Sequence, residues 1–122
     1  DRVLTVELRT EPEPFGPLPA PIESGFFRIA GEAIHNVEKH ATQATKVTVD
    51  LKQDASEVRM VVQDDGEGWD PGAEIRHRFG LSQMRAQAAS LRAEIIFGTA
   101  SNGRGTRVEV SCPTPLNSAG AA

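Results

Sequence analysis

Glu32, Asn36 and His40 recur every fourth residue within EAIHNVEKH, a carboxylate, an amide and an imidazole along one potential helix face. At 100° per residue, with Ile29 at zero, the apolar residues Ala33, Phe26, Val37 and Ala30 fall between about 40° and 100°. Glu32, Asn36 and His40 then lie at about −60°, −20° and +20°, Lys39 near about −80°, and His35 near about 240° on the outer face. The row therefore follows the seam between core and solvent, where a helix can line a cleft. Such residues can hold a metal's water or a phosphate, or they can simply brace neighbouring backbone. A metal site built from His35, Glu38 and His40 is not expected, because HNVEK misses the H-x-x-E-H spacing and His35 points away from His40.

Strand parity adds a second polar cluster. Val58, Met60, Val62 and Asp64 share one face of an alternating run, and Thr106, Val108, Val110 and Cys112 share another. Asp64 thus ends a strand with its carboxylate aimed inward, which is costly unless something donates to it. An adenine amino group, directly or through water, fits that demand; capping of the following turn fits it too. Gly66 and Gly68 in DDGEG allow backbone to approach a flat ligand closely, or form an ordinary tight turn. Gly80 is expected to precede a second helix whose free N–H groups suit an anion, with Arg76, His77 and Arg78 just before it. Neither G-x-x-x-x-G-K-[ST] nor G-x-G-x-x-G is present.

The elements that must position these residues follow from periodicity. RVLTVEL (Arg2 to Leu8) reads as a strand with Leu4, Val6 and Leu8 on one face. Glu11 to Pro21 holds five prolines and reads as an extended connection. Ile22 to about Ala41 is an amphipathic helix, and KVTVDL and EVRMVVQD form a hairpin around Asp54 to Ser56. Leu81 to Leu91 is a second helix, with Leu81, Met84, Ala88 and Leu91 inward. EIIFGT and GTRVEVSC are two further strands. The expected fold is α+β, a two-layer sandwich of a mostly antiparallel mixed sheet with helices on one face, spanning residues 1–112, with a disordered tail over 113–122.

The bulk properties bound the function. A chain of 122 residues is one domain. Its net charge of −4 argues against a nucleic-acid partner held by phosphate neutralisation. Its single cysteine excludes a disulfide framework and suits a reducing compartment. No apolar run reaches the roughly 18 residues of a membrane span. Asp1 stands where a start Met would, so the chain reads as an excised, cytoplasmic domain whose parent can still be membrane-anchored.

Taken in order, FRIAGEAIHNVEKHA, DDGEGWD, GLSQMRAQAASL and GRGT resemble the boxes of the GHKL nucleotide-binding fold (Bergerat-type), and within it the ATP-binding domain of NarL/DesK-type sensor histidine kinases. The resemblance covers about Val3 to Pro113 and is specific in combination. It implies Asn36 as a Mg²⁺ ligand, with Glu32 beside it to orient a metal-bound water or act as a base. It also implies Lys39 and His40 at the phosphates and Asp64 on the adenine amino group. Gly66 and Gly68 would pass beneath the base, with Thr106 backing Asp64 through a water. Pro71 to Gly80 would form the ATP lid, and Gly80 with Leu81 would open the phosphate-facing helix.

The implied activity is transfer of the ATP γ-phosphoryl group to a histidine on a dimerisation/phosphoacceptor domain absent from this chain. The implied partners are that domain and a response regulator, in a homodimeric parent. Three departures stand out: Arg78-Phe79 in place of a lid G-x, Gln83 before Met84 in place of glycine, and Leu91-Arg92-Ala93 in place of Leu-Gly-Gly. The alternatives are an anti-sigma-factor serine kinase of the same fold and a degenerate, nucleotide-free interaction module.

Overall fold

The computed structural model describes residues 3–12, 15–68, 78–100 and 103–113, with Arg78 and Phe79 as backbone only. Arg76, His77, Trp69, Asp70, most of the expected lid and the expected tail beyond Pro113 lie outside the described residues.

Among the described residues, five strands and two helices run in the order β1 (Thr5–Glu11), α1 (Ala20–His40), β2 (Lys46–Gln53), β3 (Glu57–Asp64), α2 (Arg78–Ser90), β4 (Glu94–Thr99) and β5 (Thr106–Pro113). The sheet order is β1-β2-β3-β5-β4. β1 pairs parallel with β2, and every other neighbour is antiparallel. Both helices pack on one face, α1 over β2 and β3 and α2 beside α1 against β4. The result is the expected α+β sandwich.

α1 begins two residues earlier than its apolar stripe predicts. Pro19 supplies the carbonyl that accepts from Ile22 and Glu23, and Pro21 sits where its missing N–H costs nothing. Glu23 near the start and Lys39 and His40 at the end complement the helix dipole. Ile22, Phe26, Ile29, Ala33 and Val37 are buried against Val47, Val49, Val58, Met60, Val62, Leu81, Met84 and Val110. The β2–β3 hairpin closes on Asp54, whose Oδ1 accepts from Ser56 N, Ser56 Oγ and Glu57 N at 2.8–2.9 Å. α2 ends on Arg92 at φ 56, while Ala93 N donates back to Ala88 O at 2.9 Å.

Two expectations are corrected at the sheet's ends. β1 runs to Glu11, inside the segment read as a connection, because Glu11 continues the parallel pairing with Lys52. Val6 and Leu8 alternate as expected but are 49% and 62% exposed, since α1 packs chiefly over β2 and β3. Pro113, read as the start of the tail, still pairs with Glu57 as the last residue of β5. No helix among the described residues is long and apolar enough to cross a membrane.

Candidate functional site

Asp64 is the one buried charged residue among the described residues, 4% exposed at the end of β3. Its burial follows from parity: Met60 and Val62 precede it on the helix-facing side. Gly66 N donates to Oδ1 at 2.8 Å, and Thr106 N donates to Oδ2 at 3.2 Å. The Thr106 hydroxyl donates to the same Oδ2. Thr106 therefore contacts Asp64 directly, because β5 starts immediately beside the end of β3. The carboxylate also caps its own turn through Gly66, so turn capping and inward aim coexist. Three donors leave about one of the carboxylate's roughly four lone-pair positions for a ligand.

The glycines around it are shaped by close approach. A Cβ on Gly66 would lie 3.0 Å from Asp64 Oδ1, 3.1 Å from Ala44 Cβ and 3.2 Å from Ala41 Cβ. Gly68 has φ +94 and lies against the backbone of Gly105. Gly105, which the sequence singles out only within GRGT, is the tightest of all. It has φ +78, and a Cβ there would overlap the Asp64 carbonyl oxygen and sit 2.9 Å from Oδ1. Only glycine lets the β4–β5 connection pass beneath Asp64 and deliver the Thr106 donors.

On α1, Glu32 and Asn36 are half-buried one turn apart, as their seam angles predict. Lys39 and His35 are exposed, and His40 is half-buried at the helix end. Gly80 does not precede α2, as expected, but is the third residue of its first turn. It is buried against α1: a Cβ on Gly80 would lie 2.7 Å from Glu32 Oε2 and 3.2–3.3 Å from the Asn36 amide. The missing side chain lets the start of α2 close onto the polar seam, and Leu81 next to it is buried in the core. Beyond Glu32 the seam widens into a groove of about 210 Å³ lined by Arg28, Gln83, Met84 and Gln87. Glu32 and Asn36 together offer oxygen donors, which suit Mg²⁺ bound partly by water and phosphate, so the residues present fit that ion.

Two acidic residues that motif reading passes over hold the glycine loop in place. Asp65 Oδ1 accepts from Thr45 N at 2.8 Å and Lys46 N at 3.0 Å, and Oδ2 accepts from Thr45 Oγ1 at 2.9 Å. Glu67 accepts from Gln43 N and Thr42 Oγ1, each at 3.1 Å. Partial desolvation pushes the Asp65 carboxyl up, but the donors of Lys46 and Thr45 outweigh it and hold it below the ordinary range. The Gln43 N–H does the same for Glu67. Alternating parity is the signal that could have found them: Asp64 points in, so Asp65 points out towards β2.

Residues 22–116 match the family described as histidine kinase-, DNA gyrase B-, and HSP90-like ATPase. Sensor protein VraS of Staphylococcus haemolyticus is 34% identical over 96 residues, 79% of this chain and 27% of VraS. VraS of Staphylococcus aureus strain COL shows the same identity over the same shares. The chain thus spans about a quarter of the length of these relatives.

Among solved structures, the histidine kinase domain of the Erythrobacter litoralis EL346 blue-light activated histidine kinase superposes with a TM-score of 0.72 at 20% identity, over 93% of this chain and 56% of that one. The ATP binding domain of PrrB from Mycobacterium tuberculosis gives 0.67 at 24% identity, over 92% and 81%. These likenesses establish the fold. With the family match spanning most of the chain, from the first turn of α1 past the end of β5, the chain belongs to the histidine kinase-, DNA gyrase B- and HSP90-like ATPase family.

Proposed function

We propose that this chain is the ATP-binding catalytic domain of a sensor histidine kinase, delivering the γ-phosphoryl group of ATP to a histidine on a separate phosphoacceptor domain. The observation that carries this reading is the buried Asp64 carboxylate at the end of β3, aligned by donors from Thr106 and Gly66. The family match supports it, as do the sensor-protein relatives.

In this reading the adenine amino group donates to the remaining acceptor position of Asp64, a contact that a guanine oxygen cannot make. Gly66 and Gly68 keep side chains away from the base plane. Asn36, with Glu32 beside it, would hold Mg²⁺, whose charge neutralises the phosphates during transfer. Lys39 and His40 donate to phosphate oxygens from the end of α1, and Gly80 and Leu81 present the opening of α2 to them. The incoming imidazole nitrogen forms a bond to the γ-phosphorus as the bond to the β–γ bridging oxygen breaks and ADP leaves. Glu32 is the group placed to take the imidazole proton or to orient a metal-bound water. Positioning and electrostatics carry this chemistry. The same reading implies a homodimeric parent, a response regulator downstream, and a cytoplasmic setting for this domain.

The test is calorimetry with Mg-ATP followed by a transfer assay against a purified phosphoacceptor domain. Acid-labile phosphohistidine on the acceptor is the expected product. Acid-stable phosphoserine would favour the anti-sigma-factor kinase alternative. The absence of any nucleotide binding would leave a degenerate interaction module.

A further inference from the structure

The glycine loop is stapled to the connection that follows α1. Within Asp64 to Gly68, Asp65 and Glu67 make five side-chain hydrogen bonds, all to Thr42, Gln43, Thr45 and Lys46. The backbone adds Asp65 N donating to Lys46 O at 3.3 Å. On the α1 side, the helix end is anchored by Ala41 N donating to Val37 O, and Ala44 N donates to Ala41 O. A chain of short, directional bonds therefore runs from Asp64 through Asp65 and Glu67 to the helix that carries Asn36, Lys39 and His40.

We infer that Asp65 and Glu67 are positioning residues that hold the adenine acceptor Asp64 at a set distance from the phosphate- and metal-facing residues of α1. This rests on the nucleotide reading of the site. A nucleotide touches both walls at once, so its affinity depends on how well their spacing is preorganised. A ligand that reaches only the Asp64 wall does not feel that spacing. The carboxylates act through other residues: Asp65 faces away from Asp64, and both bind the Thr42–Lys46 segment. Both are exposed, so the hydrogen bonds, rather than burial, are what substitution removes.

The experiment compares Mg-ADP with adenosine as ligands of the 122-residue chain and its Glu67→Ala, Glu67→Gln and Asp65→Ala variants, with urea melts confirming folding. Losing two bonds to a charged acceptor predicts Mg-ADP affinity weakened roughly tenfold in Glu67→Ala. Adenosine affinity is expected to stay within about twofold. Glu67→Gln keeps a carbonyl acceptor for Gln43 N and is expected to recover most of the Mg-ADP affinity, a rescue that separates hydrogen bonding from charge. Equal losses for both ligands, or unchanged Mg-ADP binding in folded Glu67→Ala, would overturn the inference while leaving the nucleotide site standing. If the unsubstituted chain binds neither ligand, the nucleotide reading fails and this inference fails with it. Should Asp65→Ala not fold, the Glu67 variants decide the matter alone.

Discussion

Thr106 reaches across 42 residues of chain to donate twice to Asp64 Oδ2, once from its backbone N–H at 3.2 Å and once from its hydroxyl. The pair joins the end of β3 to the start of β5 and fixes which way the carboxylate points. Thr106→Val removes one charge-assisted donor and is expected to destabilise the fold by about 2 kcal/mol, read from the urea midpoint. Asp64→Asn replaces one oxygen with a donor and should abolish nucleotide binding. The single tryptophan, Trp69, follows the glycine loop in a chain without tyrosine. Its fluorescence reports the outcome directly: a change with Mg-ADP in the unsubstituted chain and none in Asp64→Asn.

Asn36 offers a neutral oxygen where a metal ligand is proposed. Asn36→Ala is expected to weaken ADP binding in the presence of Mg²⁺ more than in its absence. Titrations with magnesium and with EDTA make the comparison. Equal losses under both conditions would return Asn36 to a purely structural role.

Gly80 should separate folding from function. Within a helix, Gly→Ala gains about 1 kcal/mol of propensity. The new Cβ would lie 2.7 Å from Glu32 Oε2, the far end of a flexible side chain that can swing aside. Gly80→Ala is therefore expected to melt no lower than the unsubstituted chain, yet to bind Mg-ADP more weakly because Glu32 and Asn36 are displaced. A lower melting temperature with unchanged binding would contradict this.

Arg92 stands in the left-handed region at φ 56, at the end of α2, where a glycine is favoured. A non-glycine residue there costs about 1 kcal/mol. Arg92→Gly is expected to raise stability by about 0.5–1 kcal/mol, the greater freedom of the unfolded chain offsetting part of the gain. Differential scanning calorimetry checks it.

Acid should loosen the loops. Hydrogen bonds from the N–H groups of Glu57, Gln43 and Lys46, among others, hold Asp54, Glu67 and Asp65 below their ordinary values of 3.8, 4.5 and 3.8. For groups depressed in the folded state, the stabilisation is fully present above the ordinary values and is lost as pH falls through the lower folded ones. The urea midpoint should therefore show no pH dependence from these groups between neutrality and about pH 5, where they stabilise fully, and then fall below about pH 4. Asp65→Asn with Glu67→Gln should flatten that fall.

Local patterning of the chain accounts for much of this fold. Period-3.6 and period-2 patterns located the described helices and strands to within a few residues, because burial of one face imposes those periods wherever one layer packs on another. Parity alone turned Asp64 and Thr106 inward, and helical angle alone put Glu32, Asn36 and His40 on the seam. Tertiary structure decided what depends on two segments meeting. The exposure of Val6 and Leu8 follows from where α1 lies over the sheet, not from their alternation. Gly80 became a contact with Glu32 and Asn36 rather than a helix-preceding turn, because α2 packs onto α1 there. Gly105 was forced by the backbone of Asp64, and the Asp65 and Glu67 staples exist because a turn from α1 runs beside the glycine loop. Hydrophobic periodicity is a property of one segment, whereas close approach and directed hydrogen bonds belong to pairs, and only the folded chain brings those pairs together.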